Sequence, residues 1–124
     1  MTIQELYEEI GGSYEQAAKV LRVEKLIDKH IRKFTKNGVV ENLLAAGETL
    51  DPEQMFETAH AVKGVSGNLG LTKLYDLSSE LSDEFRPGNA RQHTDDEVRA
   101  KLAEVKEVYD RTAAGIAAYE ESNC

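Results

Sequence analysis

The sequence has no tryptophan, only two prolines, and a single cysteine, Cys124, among its 124 residues. One thiol closes no intrachain disulfide and builds no cysteine-based zinc site, and it suits a reducing compartment. No run approaches the roughly 18 apolar residues of a membrane-spanning helix, so no membrane role is expected. The opening Met1-Thr2-Ile3-Gln4-Glu5 is acidic rather than basic, so no secretory signal is expected either. Cations are also in short supply. Fifteen Lys and Arg stand against 23 Asp and Glu, a net charge of −8. A field of that sign repels phosphate backbones and argues against nucleic-acid binding. A cytoplasmic location is the resulting expectation.

What is present suits a single domain spanning 1–124, since domains commonly hold roughly 100–200 residues. Helix signals are dense. Thr2-Ile3-Gln4-Glu5 and Ser13-Tyr14-Glu15-Gln16 read as capping boxes opening two short helices, which form an N-terminal lid over about 2–21. Residues 23–36 carry Leu26, Ile27, His30, Ile31 and Phe34 at helical spacing. Asn37-Gly38 is a possible break before Val39–Ala46 resumes. Asp51-Pro52-Glu53-Gln54 is a helix start with Pro at the first helical position, and the helix runs over about 52–69 to a stop at Gly70. Leu74, Leu77, Leu81 and Phe85 mark the next helix. After the loop Arg86-Pro87-Gly88-Asn89, Thr94 caps the last one. Its stripe is Val98, Leu102, Val105, Tyr109, Thr112, Ile116 and Tyr119. The sum is an all-α four-helix antiparallel bundle with one or two additional short N-terminal helices.

The helix over 52–69 has a face that the core does not need. Met55, Ala59, Val62, Ser66 and Leu69 fall in one arc, and His60 points away from it, with Phe56, Lys63, Gly64 and Gly67 within about 40–60° of His60. Each helix-interior glycine costs about 1 kcal/mol relative to Ala. Two of them beside an exposed imidazole clear a groove for a bulky partner. Lys63, three residues after His60, reaches the same space and suits the oxygens of a phosphoryl group carried on the ring. Phosphoryl transfer asks mainly for positioning and charge stabilisation, so a small constellation is enough.

His60-Ala61-Val62-Lys63-Gly64, followed by Ser66, Asn68, Leu69 and Gly70, resembles the signature of histidine-containing phosphotransfer (HPt) domains. Phe56, Ala59 and the runs Leu71–Leu74 and Leu77–Leu81 fit the same pattern. The motif covers about 30 residues, and the helical layout extends the likeness over nearly the whole chain. The resemblance implies a stand-alone phosphorelay carrier of two-component signalling rather than an enzyme with ATP-dependent kinase activity. His60 would be the phosphoacceptor, Lys63 the phosphoryl charge partner and Gly64 the clearance beside His60, with Phe56 and Gly67 as partner contacts. Partners would be response-regulator receiver domains, a hybrid histidine kinase, or both. No cofactor of its own is implied, magnesium being expected in the partner receiver domain, and a monomer is expected. Two departures stand out: Ala61 where Thr is frequent in the family, and Val62 where Leu is frequent.

Two other classes share parts of this pattern. Glu57-Thr58-Ala59-His60 matches the Glu-x-x-His pair of di-iron bundles, which needs a second such motif and inward-facing ligands. A phosphorylation-independent docking module would keep the bundle without the chemistry. His30 reads as a structural residue on a mixed stripe, and His93 as an incidental residue in a polar loop.

Overall fold

Short side-chain caps open four of the helices. In the computed structural model, which describes residues 1–123, the Thr2 hydroxyl accepts from the Glu5 N–H at 3.1 Å and the Glu5 carboxylate accepts from the Thr2 N–H at 2.7 Å. This reciprocal box opens α1 (Ile3–Ile10). Thr94 and Glu97 make the same box at the start of α7 (Asp95–Ser122). Two further starts carry a simpler cap, where a box was expected at Ser13. Ser13 and Asp51 each accept one bond, from Gln16 and Gln54, and neither glutamine returns it. They open α2 (Tyr14–Leu21) and α5 (Pro52–Leu69). The lone thiol, Cys124, lies outside the described residues.

The segment read as one helix over 23–36 and its continuation are two helices, α3 (Glu24–Phe34) and α4 (Val39–Ala46). The first stops at Phe34 with Thr35 as its C-cap, and Gly38, at φ 74° in the left-handed region, is the N-cap of the second. The Asn37 side chain then accepts from the Val39 N–H at 3.0 Å and starts the second. With α6 (Thr72–Glu84), seven helices stand among the described residues.

The pair α3–α4, then α5, α6 and α7, form the four legs of the bundle, with α1 against α7 and α2 against α5. Long-range contacts fix the antiparallel sense of α3–α4 and α7. The Tyr119 hydroxyl donates to Asp28 and the Tyr109 hydroxyl to Glu41, so one helix counts up as the other counts down. The core is continuous from Leu6 and Tyr7 through Ile27, Ile31, Phe34, Leu43, Met55 and Val62 to Ile116, all essentially inaccessible to solvent. The predicted α5 and α7 stripes are buried in full. On α6, Leu77 is only half-buried, and Ser78, Ser82 and Glu84 take inward positions.

Gly70 ends α5 with φ 67° and lies directly against the start of α2. Its carbonyl accepts from the Ser13 N–H at 2.7 Å, and a β-carbon there would overlap the Ser13 carbonyl. This crossing pins α2 alongside the second half of α5.

Candidate functional site

Helix α5 is held on its core stripe by five buried side chains, which fixes what faces outward. His60 is exposed in mid-helix, with Glu57, Ala61 and Gly64 also exposed around it. The surface at Gly64 is open: a β-carbon placed there meets no atom within 4 Å. The approach to the imidazole is therefore unobstructed from the next turn.

Phe56, one turn earlier, is half-buried and its ring stacks on the imidazole, centroids 5.7 Å apart and planes 29° apart. The stack restricts how the His60 ring can turn and leaves its outer edge to solvent. Lys63 is half-buried and leans toward α6, its Nζ 6.0 Å from the centre of the Tyr75 ring. No carboxylate lies within ion-pairing distance of it among the described residues, so its charge is uncompensated locally.

Gly67 does something different from what the spacing suggested. A β-carbon on it would meet the Tyr75 ring at 3.3 Å. The space that it frees is occupied by this chain's own α6, and it borders a cleft of about 380 Å³ lined by Gln16, Val20, Ser66, Gly67, Thr72 and Tyr75. Val20 and Tyr75 are exposed apolar side chains of that cleft.

The structure adds a residue that sequence periodicity did not single out. Arg86, just past the end of α6, places its guanidinium carbon 5.4 Å from the centre of the Phe56 ring. The Phe56 ring thus contacts both the Arg86 guanidinium and the His60 imidazole. No local signal marks Arg86, since 26 residues separate it from His60 and only the α5–α6 register brings the two together.

The other histidines depart from expectation. His30 is exposed and belongs to no core stripe, because Ile27, Ile31 and Phe34 alone satisfy the inward face of α3. His93 is not incidental. Its Nδ1 lies 2.9 Å from Oε1 of the buried Glu84, which also takes Arg91 Nε at 2.8 Å and the N–H groups of Gln92 and His93. Burial alone would raise the Glu84 pKa, but these donors outweigh it and hold the carboxyl at about 2. The di-iron reading does not fit. Glu57 and His60 both face solvent, and no group of three His, Cys, Asp or Glu side chains among the described residues is placed to hold a metal.

Compared with known proteins, the chain matches a family model, described as "Hpt domain", over residues 15–115. No curated protein and no solved structure matches it. No helix among the described residues is long and apolar enough to cross a membrane.

Proposed function

The chain belongs to the Hpt domain family, and on that premise we propose that it carries a phosphoryl group on His60 between receiver domains of a two-component phosphorelay. The family's work is histidine phosphotransfer, and its members are carriers rather than kinases. What supports His60 as the acceptor is one observation above the rest: it is the exposed histidine of α5, with open space at Gly64 beside it.

In this reading a receiver domain bearing an aspartyl phosphate docks over α5. A ring nitrogen of neutral His60 supplies its electron pair to phosphorus in line with the leaving oxygen. The acyl–phosphate P–O bond breaks and its electrons leave with the receiver carboxylate. The proton on the other ring nitrogen stays where it is. Lys63 offsets charge on the transferred oxygens, and Phe56 restrains the ring so that less orientation is lost on reaction. The divalent ion expected in the exchange belongs to the receiver. Gly64 keeps the approach clear, while the Gly67–Tyr75 contact shapes the edge of the docking face from within.

The test is phosphoryl transfer from a panel of pre-phosphorylated receiver domains, comparing the wild type with His60→Gln. An acid-labile, alkali-stable phosphate on the wild type alone supports the proposal. Label on His60→Gln as well would place the acceptor elsewhere. Retention of all phosphate on every donor would favour a docking module.

A further inference from the structure

We propose that Arg86 is a second charge partner for the phosphoryl group on His60, held in reserve on the Phe56 ring, and that it sets how strongly the carrier retains that group. The inference rests on the reading of His60 as the acceptor and assigns Arg86 a role that the motif on α5 does not contain.

The geometry gives three reasons. First, the guanidinium is adjacent to the site without being committed to another. It packs 5.4 Å from the centre of the Phe56 ring, which also stacks on the imidazole. Its one ion pair is a single 3.4 Å contact with Asp83, three residues back and exposed. Such a pair contributes little in water, and a doubly charged phosphoryl group competes with it easily. Second, the backbone of Arg86 is anchored, while its side chain is held by the exposed Asp83 contact and the Phe56 ring. The Asn89 N–H donates to the Arg86 carbonyl at 3.0 Å, and the Asn89 side chain donates to the Asp83 carbonyl at 3.0 Å. The side chain therefore swings from an anchored base. Third, the chemistry differs from that of Lys63. A planar guanidinium offers paired donors that match two phosphoryl oxygens, while an ammonium acts as a point charge.

In the resting carrier, Asp83 and Phe56 hold the guanidinium beside the site. When His60 attacks, the N–P bond forms as the receiver's acyl–phosphate P–O bond breaks, and two negative charges arrive on the ring. Arg86 then exchanges Asp83 for the phosphoryl oxygens. This contact exists only on the carrier side of the exchange, so it favours the phosphohistidine over the aspartyl phosphate. Phe56 is a positioning residue in this scheme: it acts through Arg86 and the imidazole and touches no phosphoryl oxygen.

The experiment measures forward and reverse transfer with a receiver that labels the wild type, and takes the equilibrium ratio of phosphocarrier to phosphoreceiver. Arg86→Ala is expected to lower that ratio about tenfold. Arg86→Lys, which keeps the charge, should recover about a third of the wild-type ratio or more, and Asp83→Asn, which frees the guanidinium, should raise the ratio about twofold. Forward and reverse rates slowed equally in Arg86→Ala, with the ratio unchanged, would make Arg86 a docking residue and overturn the inference. An unchanged ratio with unchanged rates overturns it too. Either result leaves His60 as the acceptor. Absence of His60-dependent label in the wild type would instead overturn the carrier reading, and this inference with it.

Discussion

Gly64 and Gly67 are three residues apart on α5 and lack a β-carbon for different reasons, which makes them separable by experiment. Around Gly64 the space is open, so Gly64→Ala removes backbone freedom from the unfolded chain and meets nothing. It should stabilise the protein by about 0.5–1 kcal/mol in urea denaturation. A large residue, as in Gly64→Phe, should leave the fold intact yet slow transfer to His60 at least about tenfold, because the partner loses its approach. An unaltered transfer rate would remove the clearance role. At Gly67 the same helix-propensity gain is offset by the Tyr75 ring at 3.3 Å. Gly67→Ala should therefore fall short of the gain at Gly64. Lys63→Ala should slow transfer without abolishing it, since Lys63 offsets charge but forms no bond to phosphorus. His60→Gln, at an exposed site, should change stability by less than about 1 kcal/mol.

At the scale of elements, the turn between α6 and α7 is governed by one buried carboxylate. Glu84 sits at the last position of α6 and binds the side chains of Arg91 and His93 and the N–H groups of Gln92 and His93. Glu84→Ala leaves those donors unpaired and should cost on the order of 3 kcal/mol. The carboxyl's pKa is depressed from 4.5 to about 2 in the folded state. Its contribution is therefore complete above pH 4.5 and is lost as pH falls toward 2. Hydrogen exchange, corrected for the intrinsic rate, should show Gln92 and His93 amides losing protection across that window. Full protection at pH 2 would mean that the carboxylate does not hold the loop. None of this was legible in the sequence, because a charged residue at a helix end followed by a polar loop reads as solvated surface. Helix periodicity supplied the α5 and α7 faces, whose stripes are apolar except for Ser66 and Thr112. On α6 it marked the buried Leu74, Leu81 and adjoining Phe85 but missed Ser78, Ser82 and Glu84, whose inward positions hydrophobicity does not mark.

Across the whole molecule, the candidate site is a product of register. The α5–α6 hairpin turns at Leu71, so residues equally distant from it along the chain face one another. Phe56 meets Arg86 in this way, and Gly67 meets Tyr75. The motif on α5 was readable as a single-helix pattern, whereas its partners on α6 required the turn and the crossing angle. The same holds for α1, which precedes the matched residues 15–115. Its amphipathic pattern was visible, but the surface that it covers was not. Leu6 and Ile10 pack against Gly115 of α7, where a β-carbon would meet the Ile10 side chain at 2.5 Å. The buried Tyr7 hydroxyl donates to the Leu69 carbonyl at 2.7 Å, which satisfies the last turn of α5. That bond lies at the end of α5, two and a half turns from His60, so the helix can lose it without moving the imidazole. Tyr7→Phe should thus cost about 1–2 kcal/mol of stability, through a buried carbonyl left unpaired. Leu6→Ala should cost about 2–5 kcal/mol, through the cavity that it opens. Both variants, assayed well below their melting temperatures, should accept phosphate at the wild-type rate. A variant that retains its fold but transfers slowly would show instead that α1 acts on the site, and that the lid takes part in the exchange rather than only closing the end of the bundle.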